Sequence, residues 1–484
     1  MNTDPHTASN KLPRHVRQAD EKSPEDGRRA VLLTCYMTGA TEGKNLGTAG
    51  YSHDFVAKLF SQLLSRWGKV VHVPDPKKNL ELAAQEVRDQ GLDPVHLSVL
   101  PFQDVCLAKS MPNVVMPAWE FPDVPDHGFD DNPQNDWPAT ADRCDLVLVS
   151  GPFTEQALRR GNAKAPIRFV QVPTPDDYFS VSDWKLGQKI CIDCPAYVFP
   201  QAADELSASS ILGRCYQHVQ FQFRTWQRAR RARLDGRLAL PYQSSSSAEL
   251  SGIVYTSVFN PEDGRKNWTD LLTGFLYALG DREDATLVLK LVTKNPDAVK
   301  KVIKYYKGRD IPHRCKVIVI GDFLTENQMY QLAEASTYYL QTTKAEGNCL
   351  PLMNYLAAGR PGISPNHSAM SDYFDESVGF VIQSHPEPSA WPHDTRLRSR
   401  STWGRLVWPS IVEQIRQSYH LVKDHPEQYD SLANRCRSYM HSWAGTEAVW
   451  GRLREALDAL VNGQLRHEVP RTPVVYVDSP KEAA

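Results

Sequence analysis

What most limits the fold of this chain is a rhythm. Short apolar, β-branched runs alternate with helical stretches from residue 30 to 172, and again from 252 to 382. Unbroken apolar runs of this length read as strands buried on both faces, and a helix between each pair makes the connections crossovers, so parallel sheets covered by helices are expected. The first set is Ala30 to Tyr36, Lys69 to Val73, Val95 to Leu100, Asn113 to Pro117, Cys144 to Val149 and Ile167 to Val172. The second is Gly252 to Phe259, Thr286 to Val292, Lys316 to Ile320, Thr337 to Gln341, Arg360 to Ser364 and Val378 to Ile382. A chain of 484 residues exceeds a single core. The expected fold class is therefore α/β: two Rossmann-like parallel-sheet domains, 29–180 and 251–408, facing across a cleft. Three helical stretches within 409–463 close the fold. Residues 1–28, polar and charged, predict a disordered arm, and 464–484 a loose tail.

Residues 181–250 break the rhythm and read as an inserted helical linker. Leu212, Tyr216, Val219, Phe223 and Trp226 recur at steps of four and three, one face of a helix, while residues 211–240 hold seven arginines against one Asp. Two readings stay open for this basic amphipathic helix: it lies on an anionic membrane surface, or its aromatic face packs on a neighbouring domain. Lysine plus arginine number 55 against 57 acids, a net charge of -2, so no global field favours nucleic acid. The apolar runs fall far short of the ~20 residues that cross a bilayer. The start of the chain lacks an apolar signal region. Together these predict a cytoplasmic protein, at most peripheral on the inner face of the membrane. Nine scattered cysteines suit a reducing compartment, and Cys191 and Cys194, the only C-x-x-C, supply half of a zinc site at best.

The chemistry concentrates in Ala345 to Pro361. A strand at Thr337 to Gln341 leads into a tight turn and then a helix from Leu350 to Ala358, stopped by Gly359 and Pro361. A helix start offers amides and a positive dipole end to a phosphate, while Glu346 accepts hydrogen bonds from sugar hydroxyls. A nucleotide sugar satisfies both. After the strand Gly252 to Phe259, Arg265 and Lys266 sit at another helix start, where Asn267 is expected to cap and Asp270 to close a capping box. Two cations there suit a diphosphate, although exposed cations are more often only solubilising. In the first domain a loop at 38–50 carries four glycines. It reads equally as a backbone approach to a ligand or as a plain surface loop. Trp119-Glu120 follows a strand's carboxyl end, where open α/β sheets bind ligands.

These residues resemble the GT-B glycosyltransferases, in particular the retaining group-1 enzymes of glycosyltransferase family four, from about Ala30 to Asn462 apart from the insertion. The most specific stretch is 316–373. There the family carries Glu, seven residues, Glu, then an Ala-rich helix end, Gly, any residue and Pro; Glu346 matches the first acid and Asn354 stands at the second. The resemblance implies that Glu346 and the amides of Gly347, Asn348 and Cys349, with the helix start at Leu350, hold the donor sugar, and that position 354 holds the ribose. Lys266 is similar to the family's phosphate lysine; Pro261 stands where its arginine would be, and Arg265 substitutes. Gly47 to His53 resembles the family's glycine loop bordering donor and acceptor, which places Gly50 on the donor side and Gly47, Tyr51, His53 and Trp119 on the acceptor side. Glu120 takes the place of an active-site histidine.

What the resemblance implies is a retaining hexosyltransferase of polysaccharide or glycoconjugate synthesis, with Glu346, Glu120 and Lys266 as its catalytic residues. The donor is a nucleoside diphosphate sugar and the acceptor a glycan or lipid-linked molecule; no cofactor and no metal are expected, because the two cations serve the leaving group and no D-x-D triplet occurs. A sugar phosphorylase-like relative and a non-catalytic glycan- or partner-binding protein are the competing readings.

Overall fold

A computed structural model describes residues 28–36, 46–199, 243–309 and 311–465. The first sheet has β1 (Arg29–Thr34), β2 (Lys69–His72), β3 (Asp93–Ser98), β4 (Asn113–Val115), β5 (Leu146–Val149) and β6 (Ile167–Phe169), all parallel, in the order β2-β1-β3-β4-β5-β6. Helices α1 (Ala49–Leu64), α2 (Pro76–Asp89), α3 (Trp137–Ala141) and α4 (Pro152–Arg160) serve it, and α5 (Asp176–Phe179) leads out of it. All six strands lie at the sites of the apolar runs.

The segment expected to be a linker departs from that reading. On its described flanks, β7 (Lys189–Ile192) pairs antiparallel with β10 (Ala248–Ser251), and β8 (Ala196–Phe199) pairs with both β9 (Gln243–Ser245) and β13 (Lys316–Ile320). These runs are only three or four residues long, too short for a period to show. β7 and β10 form a small sheet of their own, while β8 and β9 extend the second sheet, whose order is β16-β15-β14-β11-β12-β13-β8-β9. Its remaining strands are β11 (Ile253–Phe259), β12 (Ala285–Leu291), β14 (Tyr338–Leu340), β15 (Gly362–Ser364) and β16 (Gly379–Val381). The arm, most of the glycine loop, the arginine-rich helix and the tail lie outside the described residues.

Helices α6 (Trp268–Leu279), α7 (Pro296–Arg309), α8 (Glu326–Ala335) and α9 (Leu350–Ala357) connect these strands. The order of the sheet reverses between β11 and β14, which opens a crevice at their carboxyl ends, the place where such sheets bind ligands. Closing helices α10 (Trp408–Asp424), α11 (Pro426–Ala444) and α12 (Thr446–Val461) match the three expected. Val449, Leu453, Ala456 and Leu457 of α12 are buried against the first sheet, so the chain returns to the domain it started in. Each buried leucine there contributes roughly 2 kcal/mol.

One element had no counterpart in the sequence reading. An antiparallel hairpin, β17 (Ser384–Ser389) and β18 (Ser401–Leu406), leaves the second domain and carries a strap, residues 390–400, over to the first. Trp391 of the strap, with Ala345, is buried in one core with Trp119, Phe121 and Trp137 of the first domain. Trp391 Nε1 donates to the Asp123 carbonyl at 3.1 Å and Thr395 Oγ1 to Asp130 at 2.6 Å. The His393 ring lies nearly parallel to those of Trp137 and Phe129.

Candidate functional site

The crevice at the ends of β11 and β14 is lined by Phe259, Lys266, Tyr339, Gln341, Glu346 and Pro351, among others. Lys266 Nζ and Glu346 Oε1 are 2.5 Å apart, with side chains 20% and 7% exposed. A charge-assisted pair this shielded is held rather than solvated. The backbone of Glu346 is fixed separately: its N–H donates to Ser368 Oγ at 3.0 Å and its carbonyl accepts from the Ala369 N–H at 3.1 Å. Ser368 has φ 53°, so its loop reaches the strand end through a left-handed turn. Beside it burial pulls the His367 pKa down to about 4, which leaves that ring neutral near Glu346.

Arg265 lies in a single 3-10 turn, Gly264–Lys266, whose N-terminus is capped by the Asp263 carboxylate. Its guanidinium donates to Asp263 Oδ2 at 2.9 Å and to the Ala345 carbonyl at 2.9 Å, and lies 3.2 Å from Glu120 Oε1 across the cleft. Burial alone would lower the Arg265 pKa, but Glu120, Glu346 and Asp263 more than offset it, so the group stays charged. For Glu120, desolvation outweighs Arg265 and raises the pKa above the usual carboxylate value.

The expected capping box is absent. Asn267 is left-handed, with φ 46°, and its side chain donates to Asp270 Oδ2 at 3.0 Å instead of accepting from the backbone. Nor is α9 a full amide cradle, because Pro351 in its first turn has no N–H to offer. Cys349, the residue before it, has φ 56°, and its buried thiol donates to Gln341 Oε1 at 2.8 Å. Asn348 is tied through its carbonyl to the Tyr373 hydroxyl, while Leu350 packs into the flanking cores.

The cleft is shut by backbone contact. A Cβ on Gly347 would lie 3.2 Å from the Trp119 nitrogen, so a larger residue would push these two loops apart by a few tenths of an ångström. The Trp119 ring itself is 3% exposed in the shared core, with Nε1 donating to the Asp123 carbonyl. That ring packs in the core completed by the strap and offers little open surface. Gly47, with φ 83°, packs on Val292 and Thr293 of the second domain, and its carbonyl accepts from Asn260 Nδ2 at 3.0 Å. Gly50 packs instead on the Tyr36 ring, whose edge also meets His53 at 5.3 Å. Burial raises the Tyr51 pKa. Asn354 is half-buried beside the Tyr178 hydroxyl.

The structure thus brings Glu346, Lys266, Arg265, Glu120 and Gly347 together. Gly50, Tyr51 and His53 stand apart, on and around α1. Asp263 and Ser368 were missed by the sequence reading. Asp263 had a signal, an acid two residues before Arg265 in a turn, whereas Ser368 had none. Among the described residues no group of three or more His, Cys, Asp or Glu is placed to hold a metal ion.

Solved structures share this fold. Sucrose-phosphate synthase from Thermosynechococcus elongatus superposes with a TM-score of 0.53 at 12% identity, over 90% of this chain and 100% of that one. A glycosyltransferase from Rickettsia africae ESF-5 gives a TM-score of 0.53 at 8% identity, over 90% of this chain and 99% of that one. The fold is that of the GT-B glycosyltransferases. At such identities the likeness is one of fold. No protein-family model matches the chain. A curated protein of Sulfolobus islandicus filamentous virus named "Putative glycosyltransferase 48" is 33% identical over 99 residues, 18% of this chain. The match spans 31% of the viral protein's length. Among the described residues of this GT-B chain, no helix is long and apolar enough to cross a membrane.

Proposed function

We propose that this protein transfers a hexose from a nucleoside diphosphate donor to a glycan or lipid-linked acceptor, with retention of anomeric configuration and without a metal ion. One observation carries the reading: Arg265, Lys266 and Glu346 converge at the β11/β14 reversal of a GT-B sheet and face Glu120 from the opposite domain. Lys266 and Arg265 stabilise the diphosphate as charge develops on it, an effect strengthened by their burial. Glu346 orients the donor sugar through its hydroxyls, and Glu120 contacts the reacting sugar from the acceptor side. Retention follows if the acceptor hydroxyl attacks the face the diphosphate leaves, the departing phosphate receiving the hydroxyl proton. Any contact with an anionic membrane would run through residues 211–240. Saturation-transfer NMR against UDP-, GDP- and ADP-sugars tests the reading. Transfer to the nucleotide and sugar protons of one class is expected; the absence of binding by all three would sink it.

A further inference from the structure

The ligand-free cluster carries more negative than positive charge. Two cations, Arg265 and Lys266, are shared among three carboxylates, Glu120, Asp263 and Glu346. A diphosphate adds further negative charge to this buried space, where an uncompensated charge is costly. Of the three acids, Asp263 caps its own turn and chelates Arg265 through both oxygens, and Glu346 is fixed by Lys266 and the Ser368 loop. Glu120 has the weakest hold: one contact of 3.2 Å, to the cation that a diphosphate would claim.

We propose that the donor diphosphate displaces Glu120 from Arg265 and that Glu120 takes up one proton from solvent as it is displaced. This rests on the nucleotide-sugar reading of the site. The balance is simple: one proton leaves the buffer for each donor bound, a carboxylate becomes a carboxylic acid, and no other bond changes. The groups facing Glu120 are Arg265 and Asp263 from the 3-10 turn, Lys266 at its end, and Glu346 from the loop before α9. Desolvation already outweighs Arg265 at Glu120, and turning Arg265 toward phosphate removes that opposing charge while adding a like one. Both changes raise proton affinity. Neutral Glu120 is then a hydrogen-bond donor to the donor sugar, which its ionised form cannot be.

The linkage has a definite sign. Affinity is greatest below the ligand-free pKa of Glu120 and falls about tenfold per pH unit up to its ligand-bound pKa. Calorimetry of UDP-glucose, GDP-mannose and ADP-glucose in phosphate and in Tris at one pH measures the proton number, since the diphosphate diester itself does not titrate near neutrality. About one proton taken up per donor is expected in that window. In Glu120→Gln the uptake should vanish and affinity become flat with pH, exceeding wild type at the alkaline end. Donor binding without proton uptake, or uptake that persists in Glu120→Gln, overturns the coupling and leaves the donor site standing. If none of the three sugars binds either protein, the donor reading fails and the coupling with it.

Discussion

Arg265 and Glu120 meet at 3.2 Å from opposite domains, so a cation of the proposed phosphate site also ties the two domains together. Lys266, the next residue, makes its pair within the second domain. Neighbouring cations therefore do different work. One spans the cleft, and the other fixes Glu346.

Replacing Lys266 or Glu346 by alanine separates the site from the fold. Lys266→Ala leaves Glu346, 7% exposed on its side chain, without its counter-charge, at a cost of about 3 kcal/mol. Glu346→Ala strands the lysine less severely, since at 20% exposure it can reach water. Both variants should lose at least about a hundredfold in kcat/KM, since buried electrostatic contacts to the transition state contribute on that scale. Urea titration beside sugar-transfer assays checks this. Near-wild-type rates in either variant would contradict the assignment.

The strap should hold the domains together. Trp391 is 2% exposed between them, and Trp391→Ala opens a cavity worth about 3–5 kcal/mol. Because that core includes Ala345, beside Glu346, and Trp119, beside Glu120, donor affinity should fall as well. Scattering profiles should broaden toward an open arrangement. A profile and a stability both identical to wild type would leave the strap without this role.

Asp372 makes a second contact between the domains, accepting the Phe153 N–H of α4 at 3.0 Å while Gly151 leaves room for its carboxylate. Burial raises its pKa to about 6. An acid whose folded pKa exceeds its unfolded value gives stability that is full below about 4 and lost as pH rises through about 6. Asp372→Asn should flatten that segment of the stability curve and be the more stable protein at pH 7. The gain is on the order of 1 kcal/mol after allowing for solvent on its exposed side. Thermal denaturation from pH 4.5 to 7.5 measures it, and parallel curves for the two proteins would refute it.

Long buried strands and the 345–361 segment were legible in the sequence because each carries its own local signal. The run Ile253–Phe259 needs no partner to be recognised, and Glu346 stands at a fixed distance from a helix end. What could not be read is set by distant pairing. Residues 196–199 and 243–245 are strands only because they find each other and 196–199 finds the β13 edge. The hairpin at 384–406 contains Pro386 and Pro388, which argue against a strand until its edge position is known. The burial of Trp119 was hidden in the same way, since its neighbour Glu120 meets Arg265 across the cleft while its own ring serves a core completed from the other domain. The Glu120–Arg265 pair, 145 positions apart by 265 minus 120, has no local trace at all.

Asn354 decides how the ribose side is held. Its amide lies beside the Tyr178 hydroxyl on α5, and the half-buried residue keeps capacity for a hydrogen-bond partner. If that partner is a ribose hydroxyl, Asn354→Ala removes one neutral hydrogen bond of about 1 kcal/mol, and donor affinity falls about fivefold. Tyr178→Phe removes the neighbouring hydroxyl while leaving the amide in place, so its effect on donor affinity should be smaller than that of Asn354→Ala. Asn354→Asp restores an ionised acceptor, and a charge-assisted bond is roughly twice as strong, so affinity should rise above wild type. Calorimetry of the three variants with one nucleotide sugar gives the order. An alanine variant that binds as tightly as wild type would mean that the ribose is held elsewhere.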